Sequence, residues 1–232
     1  MSPFPHPSEA SPDGLLAVGG ALTADWLLTA YSEGIFPWFE DDDGPVMWWS
    51  PDPRAVIAPG AMRVTRSLAR RIRRGDYVVT MDTAFGDVIT ECARTRAETG
   101  TWITAEMIRA YSELHELGFA HSVETWRGDT LVGGLYGVSL GRMFFGESMF
   151  AIASDASKVA FAALHAQLKL WHFDLIDCQL PNPHLESMGV KTCDRASFLT
   201  RLTANEASTT LLGAWCLDDE WRETALGMRG NA

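Results

Sequence analysis

The sequence predicts an α+β fold, with a small N-terminal lobe over residues 1–62 and a larger mixed-sheet domain over residues 63–232. Three observations predict it. Turn-forming residues crowd the first sixty positions around one helical segment. Farther on, two helical patterns flank a run in which the apolar period falls from 3.6 to 2. That run closes as strand, helix, strand, at a length that makes the two strands parallel neighbours joined by a right-handed crossover.

The elements follow in order. MSPFPHPSEASPDG is a proline-rich arm with neither a basic start nor an apolar core, so no signal peptide is expected. In GLLAVGGALTADWLLTAYSEGIFPWF one helix is predicted, capped by Thr23, with Trp26, Leu27, Ala30 and Tyr31 at helical spacing and Gly34 beyond its end. DDDGP and SPDPR then place turn residues around Trp48 and Trp49. The Arg63 to Arg74 segment reads as a helix, YVVTM as a short strand, and Ala84 to Cys92 as apolar-periodic. Thr104 caps the next helix, which sets Ile108, Tyr111, Leu114 and Leu117 on one face and ends at Gly118.

FAHSVETWR and TLVGGLYGVSL flank a turn at Gly128 and Asp129, and MFFGESMF follows at once, which predicts an antiparallel meander. From Ala156 to His172 the pattern is helical, capped by Ser154 or Asp155, with Ala160, Leu164, Leu168 and Trp171 on one face. FDLIDCQL is the final core strand. Meander, helix and strand in this order suggest an acetyltransferase-like fold. A coenzyme A user of that fold needs a glycine-rich loop of backbone donors before the helix to hold a pyrophosphate. FAIASDASK stands there instead and has no glycine. GVSLG matches the G-x-S-x-G pattern of a hydrolase elbow, but a strand follows it where an elbow needs a helix.

At 232 residues and 47% hydrophobic content the chain can bury a substantial core. No run of about 18 apolar residues occurs, so no membrane span is expected and a cytoplasmic location is. Cys92, Cys178, Cys193 and Cys216 form no metal-ligand spacing, which predicts reduced, mostly buried thiols and no metal site. The formal charge of −11 argues against polyanion binding by the whole surface. RVTRSLARRIRR nevertheless gathers Arg63, Arg66, Arg70, Arg71, Arg73 and Arg74, six of the nineteen basic residues, with no acid among them. Such a run is commonly a solvated helix face; it is also what a protein needs to grip phosphates at one place.

FFGESMF poses the sharpest question. Read as a strand, it sets Phe145, Glu147 and Met149 on one face. A buried carboxylate costs several kcal/mol unless it is met by a partner, here an internal arginine or a ligand. The βαβ reading brings Glu147 beside Asp177 and Gln179, at the carboxyl ends of two neighbouring strands, where α/β proteins tend to bind ligands.

GLLAVGG, GIFPWF, WWSPDPRAV, GTWIT, GESMF, ASK and LIDCQ, in this order, resemble the bacterial leucyl/phenylalanyl-tRNA–protein transferases from about Gly14 to Leu202. The resemblance implies transfer of leucine or phenylalanine, with methionine a further donor, from aminoacyl-tRNA to the N-terminal Arg or Lys of a protein, marking it for N-end-rule degradation. The ester is already activated, so no cofactor is implied. It also implies aminoacyl-tRNA and Arg- or Lys-starting proteins as partners of a monomer. A non-catalytic tRNA-binding module and an acyltransferase using another donor are the alternatives.

Carried residue by residue, the resemblance makes Asp177 and Gln179 a catalytic pair and Glu147 the group meeting the acceptor's positive charge. It puts Leu135, Phe144, Leu164 and Ile176 in the aminoacyl pocket, and Trp38 and Trp102 against the 3′ adenosine, although tryptophans of this kind also serve as core. A phenylalanine stands at the place of Leu164 in the enterobacterial form, which changes the pocket wall. Asn182 and His184 of PNPH match as second-tier site residues, and the six arginines acquire a partner in tRNA phosphates.

Overall fold

The computed structural model describes residues 2–39, 44–96 and 103–228. A three-stranded antiparallel sheet, ordered β1-β3-β2, is built from β1 (Leu15–Val18), β2 (Phe36–Pro37) and β3 (Met47–Trp49). Between its first two strands runs α1 (Ala24–Ser32). The Thr23 side chain accepts from the Trp26 amide, and Gly34, at φ 78°, takes the left-handed turn that only glycine adopts freely. Leu27, Ala30 and Tyr31 are buried as the periodicity requires.

The second sheet has seven strands. These are β4 (Arg54–Ile57), β5 (Val78–Met81), β6 (Ala120–Arg127), β7 (Thr130–Leu140), β8 (Met143–Ala151), β9 (Leu175–Gln179) and β10 (Lys191–Cys193), ordered β10-β4-β9-β8-β7-β6-β5. Among the described residues only β8 and β9 pair in parallel; every other neighbour in this sheet is antiparallel. Strand β4 precedes residue 62 in the chain, yet it is hydrogen-bonded between β9 and β10. The meander and the crossover from β8 to β9 stand where the period change put them, and Ser139 of GVSLG is a buried residue of β7, followed by β8.

Helices cover both faces. One core cluster joins the sheet to α2 (Arg66–Arg74), α5 (Ala156–Leu170) and α8 (Trp221–Gly227). The other joins it to α1, α3 (Phe85–Arg96), α4 (Ala105–Glu116) and α7 (Arg195–Asn205). A short α6 (Pro183–Ser187) follows β9.

Four side-chain expectations are corrected. The buried face of α4 is Met107, Ala110, Tyr111 and Leu114, while Leu117 is exposed, so the face is rotated from the one the spacing suggested. Helix α5 is buried nearly all round because it lies between the sheet and α2 and α8, which removes the one-sided pattern expected of it. Its cap position, Asp155, has φ 60° and makes no side-chain capping bond. Of the cysteines only Cys92 is fully buried, and Cys216 is exposed.

Candidate active site

The parallel pairing of β8 with β9 runs Met143↔Leu175, Phe144↔Ile176 and Phe145↔Asp177. Strand β8 then bulges. Gly146 still opposes Gly137 and Ser148 opposes Tyr136, which leaves Glu147 unpaired between them. The bulge reverses the alternation: Phe144 and Met149 fall in one core cluster, Phe145 and Phe150 in the other, so Met149 does not share a face with Phe145. Gly137 makes the close approach possible, since a Cβ there would overlap the Phe145 carbonyl oxygen and the Phe144 ring.

A cavity of about 850 Å³ opens past the bulge. Leu135, Phe144, Leu164 and Ile176, all expected to form a pocket, line its apolar wall, together with Phe161 and Met149. Glu147 and Gln179 form its polar end, and Trp38, Asn182 and His184 stand around it. Trp102 lies outside the described residues. The Asn182 side chain accepts from the Leu185 amide at 2.9 Å, so it caps α6 and fixes the loop that carries exposed His184. Cys178 also lines the cavity; burial, with the Asp177 charge beside it, pushes its thiol up, which leaves it an apolar wall and no thiolate nucleophile.

Among the described residues no arginine pairs with Glu147; two tyrosines and Gln179 meet it instead. Glu147 Oε1 accepts from the Tyr31 hydroxyl at 2.7 Å and from Gln179 Nε2 at 2.7 Å, and its Oε2 lies 3.1 Å from the Tyr111 hydroxyl oxygen. The two tyrosine oxygens are 2.5 Å apart. Burial raises the Glu147 carboxyl to about 7, although the tyrosine and glutamine hydrogen bonds pull it the other way. Burial likewise raises both phenols well above their ordinary value, with the Glu147 charge adding to it.

The internal arginine exists but holds the other carboxylate. Arg54 and Asp177 are both fully buried, and Arg54 Nε and Nη2 reach Asp177 Oδ1 and Oδ2 at 2.9 and 2.6 Å. Arg54 Nη1 donates to the Gly34 carbonyl at 3.0 Å, and its guanidinium lies over Phe36 and Phe198. Asp177 Oδ1 also accepts from the Gln179 backbone amide at 2.9 Å. Gln179 has φ 59°, a left-handed conformation costly for a residue with a side chain. Asp177 thus lies behind the cavity wall, tied to a strained Gln179 that faces the cavity.

The six arginines divide. Arg66, Arg70 and Arg73 lie one turn apart along α2 and are exposed, as are Arg63 and Arg74. Arg71 is turned inward, paired with Asp76 at 3.2 Å and Asp155 at 3.5 Å and lying over the Tyr77 ring. Arg63 is tied to the far end of α6, the helix whose His184 and Leu185 line the cavity: its guanidinium reaches the Ser187 carbonyl and its backbone amide the Met188 carbonyl.

Sequence reasoning missed four groups. Helical spacing places Tyr31 and Tyr111 on apolar faces, and their hydroxyls are the signal that spacing ignores. Arg54 falls in a turn-rich stretch whose spacing gives it no role. Phe161, three residues before Leu164 on α5, lines the same cavity and could have been found from helical spacing.

The family model described as leucyl/phenylalanyl-tRNA protein transferase matches residues 56–203, and the model of that family's N-terminal domain matches residues 20–52. Relatives named leucyl/phenylalanyl-tRNA–protein transferase include one from Desulforapulum autotrophicum, 55% identical over 214 residues that cover 91% of this chain and 93% of that protein. Another, from Anaeromyxobacter dehalogenans, is 56% identical over 217 residues, covering 93% of each. With both models aligned across the two sheets, the chain belongs to the leucyl/phenylalanyl-tRNA–protein transferase family.

Proposed function

We propose that the chain is an aminoacyltransferase that moves leucine or phenylalanine from aminoacyl-tRNA to the N-terminal Arg or Lys of a protein. One observation carries the reading: a cavity with an apolar wall ends in a carboxylate and an amide, Glu147 and Gln179. The wall of Leu135, Phe144, Phe161, Leu164 and Ile176 takes the aminoacyl side chain. Phe161 supplies an aromatic ring one turn from Leu164. Trp38 takes the 3′ adenosine, with Trp102 as its partner by resemblance, and the exposed arginines take tRNA phosphates. Glu147 meets the acceptor's amino terminus.

The aminoacyl ester is activated before it arrives, so positioning of the amine and ester supplies much of the rate. Gln179 orients the reacting groups. Asp177, saturated by Arg54 and by the Gln179 amide, acts through Gln179 as a positioning residue. The larger domain is read as acetyltransferase-like, on the strength of the β6–β7–β8 meander, the α5 crossover and the parallel β9. We place the lobe boundary between β3 and β4, which gives β4 to the larger domain. Incubation with labelled Leu-tRNA and a substrate starting with Arg tests the function: label moves into the substrate, whereas tRNA binding without transfer would favour a binding module.

A further inference from the structure

Tyr31, Tyr111 and Glu147 raise a question of proton inventory. Their oxygens close a ring of three contacts: Tyr31 to Tyr111 at 2.5 Å, Tyr31 to Glu147 Oε1 at 2.7 Å, and Tyr111 to Glu147 Oε2 at 3.1 Å. Each contact needs one hydrogen. A phenol supplies one each, and an ionised carboxylate supplies none. Two hydrogens cannot fill three contacts, so with Glu147 ionised one pair of oxygens faces each other bare. A hydrogen on Oε2 completes the ring: Oε2–H donates to Tyr111, Tyr111 to Tyr31, and Tyr31 to Oε1. Gln179 Nε2 already donates to Oε1, which leaves Oε2 the less occupied oxygen for that hydrogen.

The surroundings favour the same state. All three side chains are buried, and among the described residues no arginine, lysine or histidine forms an ion pair with Glu147. The titratable groups that face the ring from the packed elements are Tyr136 on β7 and Asp177 on β9. Neither is cationic, and Asp177 has its own arginine. Of the ring members only Glu147 lines the cavity.

We infer that Glu147 carries a proton in the empty site, as the third hydrogen of a closed ring with Tyr31 and Tyr111, and that this ring is the device that deprotonates the acceptor ammonium. The inference rests on the transferase reading. Binding of the ammonium expels the Oε2 hydrogen to solvent and leaves a carboxylate against the cation. The ammonium then gives one hydrogen to Oε2, which breaks an N–H bond, re-forms the ring and leaves a neutral amine. Nitrogen attacks the ester carbonyl, the C–N bond forms, the C–O bond to the 3′ oxygen breaks, and that oxygen takes the second amine hydrogen. The net product of the first two steps is one proton released to solvent. An α-amino group titrates near 7.7 to 8.0, close enough to the carboxyl in this site for the transfer to be nearly balanced.

Infrared difference spectroscopy of the free protein, with Glu147→Gln as the blank, tests the resting state. A carboxylic carbonyl band present at pH 6 and absent in the blank is expected; a carboxylate signal alone at pH 6 overturns the inference. Tyr31→Phe removes the phenol that donates to the acid's carbonyl oxygen, so the band should persist and move to higher wavenumber, and an unmoved band breaks the ring. Calorimetric titration of a peptide starting with Arg, in two buffers of different ionisation enthalpy, should show close to one proton released per peptide bound at pH 6. Binding without release overturns the deprotonation step. A peptide that fails to bind contradicts the transferase reading, while the band in the free protein still decides the ring.

Discussion

Glu147 stands out in the bare sequence because one charge sits among aromatic and methionine side chains, and the structure bears out that it is buried beside Asp177 and Gln179. Its partners were not legible. Tyr31 and Tyr111 lie 116 and 36 residues away, and helical periodicity treats a phenol as an apolar residue, so nothing local announces a hydroxyl pointed at a carboxylate. The site has a measurable effect on stability. The folded state binds the Glu147 proton more tightly than an unfolded chain does, at about 7 against 4.5, so this residue lowers stability as pH rises between those values. A difference of that size is about 3 kcal/mol. His165 acts in the opposite sense: burial lowers it to about 3, so the unfolded chain takes up a proton the fold refuses, and stability falls as pH drops below 6.5. Glu147→Gln removes only the first effect. Its unfolding free energy should gain on wild type by about 2–3 kcal/mol between pH 5 and pH 8 in paired urea titrations, and a constant difference would show that Glu147 is ionised throughout.

At the scale of elements, the period change in the sequence located the meander and the crossover, because strands and helices impose different spacing on apolar residues. The bulge in β8 was not legible, since it depends on Gly137 opposite Gly146 and on a partner strand the spacing cannot show. The place of β4 was hidden for the same reason: three residues in a turn-rich stretch pair with β9, more than a hundred residues on. Arg54 and Asp177 join those two strands. Breaking a buried ion pair leaves one charge uncompensated, which costs about 3–5 kcal/mol, whereas replacing both members with apolar residues of similar size is often near neutral. Arg54→Met should therefore destabilise by that amount in urea unfolding, and Arg54→Met with Asp177→Leu should recover most of it. Equal losses in the single and double variants would mean that the pair does not hold β4 to β9.

Over the whole molecule, the acidic average conceals one basic face. The sequence showed the cluster on α2 but not which members are free: Arg71 is committed to Asp76, Asp155 and Tyr77, while Arg66, Arg70 and Arg73 face outward. The neighbours that engage Arg71 come from the turn after α2 and from the residue before α5, so only the fold could sort the six. On the proposed phosphate contacts, counterion release would make each of the outward three contribute close to one unit to the slope of log affinity against log salt. Changing Arg66, Arg70 and Arg73 together to Ala should reduce that slope for tRNA by about two to three units and leave use of a minimal aminoacyl-adenosine nearly intact, and an equal loss with both substrates would assign the helix to the fold alone.

In the proposed reaction the leucyl or phenylalanyl side chain occupies the cavity beyond the β8 bulge, with its carbonyl carbon beside Glu147 and Gln179. The most direct test is a crystal structure with a hydrolysis-resistant 3′-leucyl-aminoadenosine. The leucyl group should lie against Phe161, Leu164 and Ile176, the adenine on Trp38, and the carbonyl toward the Gln179 amide. An analogue bound with its side chain outside that cavity, or with its carbonyl remote from Glu147, would contradict it.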